Sequence, residues 1–468
     1  MNLKEKYQEL VKNFKASFTK RELIVLGVIV GTALLLRLLI LIPGWSQMPA
    51  HFSRPDTPGY IQPALSLADN CRFSTPGSTE PFSARPPGFP LYLAFFFKIF
   101  GENYALPILS LCLIGALTCV PTFLCGRYFC SSLTGYLAAG LIALNITAIA
   151  NSPMLLSDTL YGFLIAWQLY FFTRFHFKRE AKCFYFAMLI AGAATLIRPI
   201  GSAWLIPGAF LCLIQPEMSW KKRIITAACG CLLFLAIICP WMARNKLVGA
   251  GFSIDSNTGS MYHQNGAMLL SKLNGTSYEA EKQKILQELD KEFADHEKYP
   301  DIESRQAYRV KKFKELIFQH PVAYFSLHFK PSVLLPDAPT LFELLGMTTA
   351  NRGTLDVLQR HGVVAAVKHY FGDKLPWLFV LIPFLLIAGI TYFGCLVQLI
   401  FWLAKKEVYL IFFFLAFVEY FFFLPGPITV PRYQVPALPL MAVMAAMALP
   451  GLYKVLREKL RKQNQPST

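Results

Sequence analysis

Arg54-Pro55-Asp56-Thr57-Pro58-Gly59-Tyr60 lies in the first long polar interruption, from about Gln47 to Pro90, of a chain that is otherwise mostly apolar. One apolar span precedes it and many follow, so the chain reads as a series of membrane helices with a long polar loop inserted early. Asp56 sits in a turn stiffened by Pro55, Pro58 and Gly59, and two arginines that each adjoin proline, Arg54 and Arg85, share the loop. A carboxylate held in such a turn is a candidate catalytic group, and Tyr60 stands close enough to orient a ligand.

The composition agrees with that reading. Of 468 residues 54% are hydrophobic and 16% charged, and the mean hydropathy of +0.43 is that of a membrane protein. The net charge of +17 comes from short basic clusters between apolar runs. Those clusters read as topology signals and as phosphate or lipid contacts, and no nucleic-acid partner is expected. Among eleven cysteines only Cys71 lies in a long polar loop, so neither a disulfide framework nor a zinc site follows. His263, His320 and His328 read as ordinary interfacial residues.

Residues 1 to 21 carry Lys4, Lys6, Lys12, Lys15, Lys20 and Arg21. The next stretch, Glu22 to about Leu41, offers roughly 20 apolar positions, enough to cross a bilayer, without a signal-peptide cleavage site. It reads as a signal anchor with a cytoplasmic N-terminus. Gly27 and Gly31 form a GxxxG pattern that hints at close helix contact, and Arg37 is expected to snorkel or to line a site. Further apolar runs at about 104–126, 133–150, 156–173, 183–197, 200–214, 224–242, 376–404, 408–424 and 434–453 bring the expected spans to about ten. Segments at 89–100, 321–335 and 338–348 are candidates for dipping into the membrane, giving an all-α integral membrane protein of about 10–13 transmembrane helices.

With the N-terminus inside, the cytoplasmic turns contain Arg127; Arg174, Lys178, Arg179 and Lys182; Lys221, Lys222 and Arg223; Lys405 and Lys406; and the run from Lys454 to Lys462. This is the positive-inside pattern. The same count brings Asp56, Arg85, Asp158, Arg198, Arg244 and Arg432 to the outer face. Singly, each arginine could snorkel and Asp158 could cap a helix through Ser157; together, on one side only, they point to an anionic ligand at the outer interface. The expected organisation is a cytoplasmic N-terminus (1–21), an N-terminal transmembrane module (22–244) containing the first outer loop (46–90), an outer helical cap (245–375), C-terminal transmembrane helices (376–453) and a cytoplasmic tail (454–468). In the cap, a charged helix is expected near Tyr278 to Glu297 and a basic one near Ser304 to His320. The basic helix sets Val310, Phe313 and Ile317 opposite Arg309, Lys311, Lys312 and Lys314, a pattern suited to lying on anionic lipid.

No Walker loop or strand-linked GxGxxG is present, so nothing cradles a nucleotide in the usual ways. A site on the outer face would most simply take an activated group from a lipid carrier, whose phosphate suits the planar, permanently charged fork of arginine. If the group is a sugar, one carboxylate suffices as base for a single inverting displacement. Asp56 is the expected base, and Asp158 is expected to position the acceptor or hold Asp56 or an arginine in place. Arg54, Tyr60, Arg85, Arg198, Arg244, Asn245 and Arg432 are the expected substrate-binding set. Asp56 and Asp158 could share a divalent cation with a phosphate, but two carboxylates are a thin ligand set and the arginines already supply positive charge, so the leading expectation is no cofactor, with a divalent cation as the alternative.

The Asp56 turn, Ala84-Arg85-Pro86-Pro87-Gly88-Phe89-Pro90, Leu156-Ser157-Asp158-Thr159, Leu196-Ile197-Arg198-Pro199-Ile200-Gly201, Pro240-Trp241-Met242-Ala243-Arg244-Asn245 and Pro431-Arg432-Tyr433-Gln434-Val435-Pro436 occur in an order that resembles the ArnT-like and protein O-mannosyltransferase-like superfamily. These are GT-C integral-membrane glycosyltransferases. The resemblance implies a GT-C fold, a catalytic aspartate in the first outer loop matching Asp56, and a polyprenyl-phosphate-linked sugar donor used on the periplasmic or lumenal face. It implies a second acidic position at Asp158 and basic positions near the donor phosphate at Arg85, Arg198, Arg244 and Arg432. The first-loop acid lacks the adjacent second acid of the eukaryotic mannosyltransferases, and no sizeable soluble C-terminal domain follows. The bacterial, inner-membrane branch that modifies lipopolysaccharide, other glycolipids or glycans therefore fits better than protein O-mannosylation. A hexosyl- or pentosyltransferase is the leading expectation. The alternatives are a transporter or flippase for a polyprenyl-phosphate sugar, a protein O-glycosyltransferase and a noncatalytic assembly subunit. No motif encodes the sugar, the acceptor or the oligomeric state.

Overall fold

The computed structural model describes residues 18–329, 335–347, 354–372, 375–427 and 430–463. The lysines expected to hold the N-terminus inside fall mostly within residues 1–17, outside the described residues. So do the C-terminal residues 464–468 and the side chains of the basic run from Lys454 to Lys462.

The chain is helical along most of its described length, with one isolated antiparallel bridge between Ser74 and Pro81. Helix α1 (Lys20–Leu39) opens on a capping box in which Thr19 and Glu22 satisfy each other's amides. The outer loop carries α2 (Pro58–Asn70) and α3 (Gly88–Phe100). The helices α4 (Ala105–Leu117), α5 (Cys119–Phe129), α6 (Ser132–Ala143), α7 (Ile146–Asn151), α8 (Asp158–Lys178), α9 (Ala181–Thr195), α10 (Leu205–Leu213) and α11 (Trp220–Leu247) follow. A smaller helical group comprises α12 (Ala267–Asn274), α13 (Tyr278–Glu292), α14 (Ile302–Gln319), α15 (Pro321–Ser326), α16 (Ala338–Leu344) and α17 (Thr354–Phe371). The chain then returns through α18 (Trp377–Ala404), α19 (Val408–Phe414), a π turn at Leu415–Glu419, α20 (Tyr420–Phe423) and α21 (Leu438–Gln463).

Among the described residues four helices are long and apolar enough to cross a membrane: Lys20–Leu39, Ala105–Phe129, Trp220–Leu247 and Leu378–Ala404. Shorter apolar helices accompany them, and a helix stands at every position where a span was expected. Two spans are broken where local chemistry demands it. The run at 133–150 divides where Asn145 caps α7 by accepting from the Ala148 amide at 3.0 Å. The run at 200–214 begins as a tight turn, Pro199–Trp204, because proline is tolerated only at its start. The stretch at 89–100 is fully helical and buries Phe89 and Leu93.

Close helix contact occurs away from the GxxxG pattern of α1. A Cβ at Gly27 or Gly31 would meet nothing within 4 Å, whereas one at Gly126 of α5 would lie 2.8 Å from the Gly135 Cα of α6. Small residues at that crossing let two backbones touch, which is how packing without a strong hydrophobic drive is gained in a bilayer. Arg37 does not snorkel. It is fully buried, donating to Ser152 Oγ and to the Ala33 carbonyl, each at 2.9 Å.

The basic helix α14 also departs from its sequence reading. Its apolar face packs Phe313, Leu316 and Ile317 into a second small core with Tyr262, Ala267, Ile285 and Leu289. A partner inside the protein has taken the face expected to lie on lipid. The apolar surface left to the surroundings is instead Phe318, Val322, Phe325 and Phe329.

Among the described residues Trp204 is the largest fully buried side chain, and it packs at tilted angles against Phe172, Phe417 and Tyr420 with ring centroids 5.8, 4.6 and 5.6 Å away. It joins α8 and the α19–α20 segment behind the outer turn at 199–204. Trp204→Ala is expected to cost about 3–5 kcal/mol, visible as a fall in the thermal unfolding midpoint in detergent. An unchanged midpoint would show that neighbouring helices close the cavity.

Candidate functional site

The Asp56 turn is built by its own sequence. The Thr57 amide donates to the Arg54 carbonyl at 2.8 Å, and Thr57 Oγ1 accepts from the Arg54 amide at 2.9 Å. The same hydroxyl donates to the Leu155 carbonyl at 3.1 Å, and the Leu155 amide donates to the Phe52 carbonyl at 2.9 Å. These bonds tie the loop to the segment that ends in Ser157 and Asp158. Pro58, whose missing amide hydrogen costs nothing at a helix start, launches α2 directly after the turn. Its first turn places Tyr60 with its hydroxyl 3.2 Å from Ser157 Oγ.

Asp56 is gripped on both oxygens. Arg85 donates to Oδ1 at 2.8 Å and Arg432 to Oδ2 at 2.7 Å. Arg85 reaches it because the next residues lock onto a neighbouring turn: the Gly88 amide donates to the Leu196 carbonyl at 2.7 Å. A Cβ at Gly88 would lie 2.7 Å from that same oxygen, so only glycine permits the approach. Arg432 comes from the tight turn Pro431–Gln434. Beside this pair, Arg198 forms an ion pair with the buried carboxylate of Asp158. Arg198 lies over the rings of Tyr161 and Tyr433, and Arg432 and Arg85 lie over Tyr433 and Tyr60. Three guanidiniums thus surround two carboxylates, leaving a formal excess of one positive charge.

Burial works to raise the Asp56 carboxyl, but hydrogen bonds and charge from Arg432 and Arg85 outweigh it and hold the group below the ordinary carboxylate value. Asp56 therefore stays ionised in this arrangement. Asp158, Arg198 and Tyr433 line a chamber of about 490 Å³, whose other walls include Tyr161, Ser202, Asp255 and Asn257. Among the described residues no three His, Cys, Asp or Glu side chains come together as a metal site.

The structure gathers Asp56, Tyr60, Arg85, Asp158, Arg198 and Arg432 into one cluster and leaves three other expected residues outside it. Arg54 pairs with Glu343 at 2.9 Å on α16. Arg244 donates to the carbonyls of Phe82 and Phe73 at 2.7 and 3.2 Å and stacks on Trp241. Asn245 is fully buried and donates to the carbonyls of Ser253 and Ile254. The last two staple the 73–82 hairpin and the 253–254 segment to the end of α11. Arg244→Ala is accordingly expected to cost on the order of 2 kcal/mol and to speed proteolysis within 71–83, with ligand affinity unchanged. A weakened affinity at normal proteolytic resistance would return Arg244 to the site.

Sequence reasoning missed Tyr161, Tyr433, Asp255 and Asn257. Tyr433 directly follows Arg432, and Tyr161 stands one helical turn after Asp158 on the same face. Asp255 and Asn257 sit in a Gly/Ser/Asn-rich stretch and carry no sequence signal of their own.

Residues 84–243 match the model of the dolichyl-phosphate-mannose-protein mannosyltransferase family. That stretch contains Arg85, Asp158 and Arg198. The fold is similar to that of the Archaeoglobus fulgidus oligosaccharyltransferase in its apo form, at 15% identity and a TM-score of 0.52, over 95% of this chain and 52% of that one. It is similar too to the archaeal oligosaccharyltransferase AglB from Archaeoglobus fulgidus in complex with an inhibitory peptide and a dolichol-phosphate, at 16% identity and a TM-score of 0.52, over 96% and 52% of the two chains. ArnT from Cupriavidus metallidurans bound to undecaprenyl phosphate matches at 15% identity and a TM-score of 0.45, over 90% and 59%. The chain spans about half the length of the oligosaccharyltransferases it matches. No curated protein matches it. The chain is a multi-pass membrane protein with the fold of the GT-C glycosyltransferases, and its residues 84–243 are similar to the dolichyl-phosphate-mannose-protein mannosyltransferase family.

Proposed function

We propose that the protein is a glycosyltransferase that moves a sugar from a polyprenyl-phosphate carrier to a membrane lipid or glycan on the periplasmic face of a bacterial inner membrane. The observation that carries this reading is the double grip of Arg85 and Arg432 on Asp56, beside a chamber walled by Asp158 and Arg198. Two lines support a lipid-phosphate donor. The matched family is named for a dolichyl-phosphate sugar, and one structure of similar fold holds a dolichol-phosphate.

The residues imply an order of events. Arg85 and Arg432 neutralise Asp56 while no anion is present. A phosphodiester entering between them competes for the guanidiniums, because arginine binds phosphate oxygens in the same forked geometry as a carboxylate. Asp56 then loses its partners, and burial, now unopposed, raises its basicity. It accepts the proton of the acceptor hydroxyl or amine as that group attacks the anomeric carbon from the face opposite the leaving phosphate. The carbon–oxygen bond to phosphate breaks, its electron pair stays with the phosphate, and the arginines stabilise that charge. A single displacement of this kind inverts the anomeric configuration. Asp158 holds Arg198 at the chamber wall, and Tyr60 ties the loop to Ser157.

The test is sugar transfer in proteoliposomes, with a panel of labelled polyprenyl-phosphate sugars as donors and membrane lipids as acceptors. Transfer with inversion is expected from one donor in the panel. Movement of the donor across the bilayer without any transfer would replace the enzyme with a flippase.

A further inference from the structure

Beside the chamber an apolar groove of about 670 Å³ runs between α10 and the α19–α20 segment. Ile206, Phe210 and Leu415 on its walls are exposed, so it opens sideways. Tyr420 lines the groove and donates its hydroxyl to the carbonyl of Ile200, which lines the chamber; Leu424 belongs to both. The two spaces are thus neighbours across a thin wall.

One carboxylate lies in this apolar surface. Glu419 ends the π turn Leu415–Glu419, and among the described residues it has no hydrogen-bond or ion-pair partner. Leu424, which lines both spaces, follows five positions later, roughly 7.5 Å along the helix. π turns widen a helix locally and recur where a side chain is presented to a ligand, and an ionisable group within a membrane helix is retained for a partner.

We propose that the groove is a docking site for an aminophospholipid, whose ammonium pairs with Glu419 while its acyl chains lie along α10 and α19. The chemistry selects that occupant. A polyprenyl tail would leave the carboxylate unpaired in hydrocarbon, an anionic headgroup would be repelled by it, and a soluble cation would leave the apolar walls empty. The site stands independently of the transferase reading, since none of its lining residues belongs to the Asp56 cluster.

The test is native mass spectrometry of the full-length protein in detergent, with phosphatidylethanolamine and phosphatidylglycerol of identical chains supplied in equal amounts. Phosphatidylethanolamine is expected to be retained roughly tenfold over phosphatidylglycerol, the factor that one charge-assisted hydrogen bond supplies. Glu419→Gln, nearly isosteric, is expected to bring the ratio close to one, whereas Glu407→Gln at the other end of the helix leaves it unchanged. Equal retention by the wild type, a preference that survives Glu419→Gln, or displacement of both lipids by an added polyprenyl phosphate would overturn the assignment.

Discussion

Asp56→Asn is expected to lower sugar transfer about 10²–10⁴-fold, the contribution of a positioned general base. The substitution preserves shape, and an amide can still face one guanidinium, so membrane insertion and the unfolding midpoint should change little. What disappears is the ability to accept a proton. Donor affinity is the discriminating readout. With Asp56 uncharged, Arg85 and Arg432 are no longer neutralised, and a phosphate meets two free guanidiniums. Binding of the polyprenyl-phosphate donor should therefore stay the same or tighten while turnover falls. Equal transfer by wild type and variant would remove Asp56 as the base and leave it an anchor for the two arginines.

Arg432→Met should affect two quantities at once. Loss of a cation aimed at the leaving phosphate is expected to reduce kcat by about 10²–10³-fold, the range for one preorganised electrostatic donor. The pH dependence moves as well, and its sign follows from the forces on Asp56. Burial pushes this carboxyl up, and Arg432 and Arg85 together push it further down. Deleting Arg432 weakens the downward push, so the acid limb of the kcat/KM profile, which reports the free enzyme, shifts to higher pH. The deficit should be worst on the acid side and partly relieved as pH rises. A uniform loss with an unmoved acid limb would mean that Arg432 serves the phosphate but does not tune Asp56.

The parts of the fold that could be read from sequence are those set by local chemistry. Span positions follow from apolar length. The Asp56 turn was readable because prolines and Thr57 restrict it from within. Residues that depend on distant partners were not. Whether Arg244 faces a ligand or two carbonyls rests on where the 73–82 hairpin lands, and an arginine at a span end looks the same in either case. Arg37 was ambiguous for the same reason, since its partner Ser152 lies 115 positions away. The apolar face of α14 has the amphipathic pattern of a lipid-surface helix. The helices that cover it, α12 and α13, reach it only through the tertiary fold, which periodicity does not record.

The two arginines on Asp56 come from opposite ends of the polypeptide, 29 and 376 positions downstream. In a chain synthesised from its N-terminus, Asp56 and Arg85 are made early. Arg432 emerges only after nearly all the helices have been threaded. A product that stops short of the last helices therefore carries the aspartate and its first guanidinium but lacks the second. The charge balance around Asp56 is thus a property of the whole chain and is absent from any N-terminal part of it.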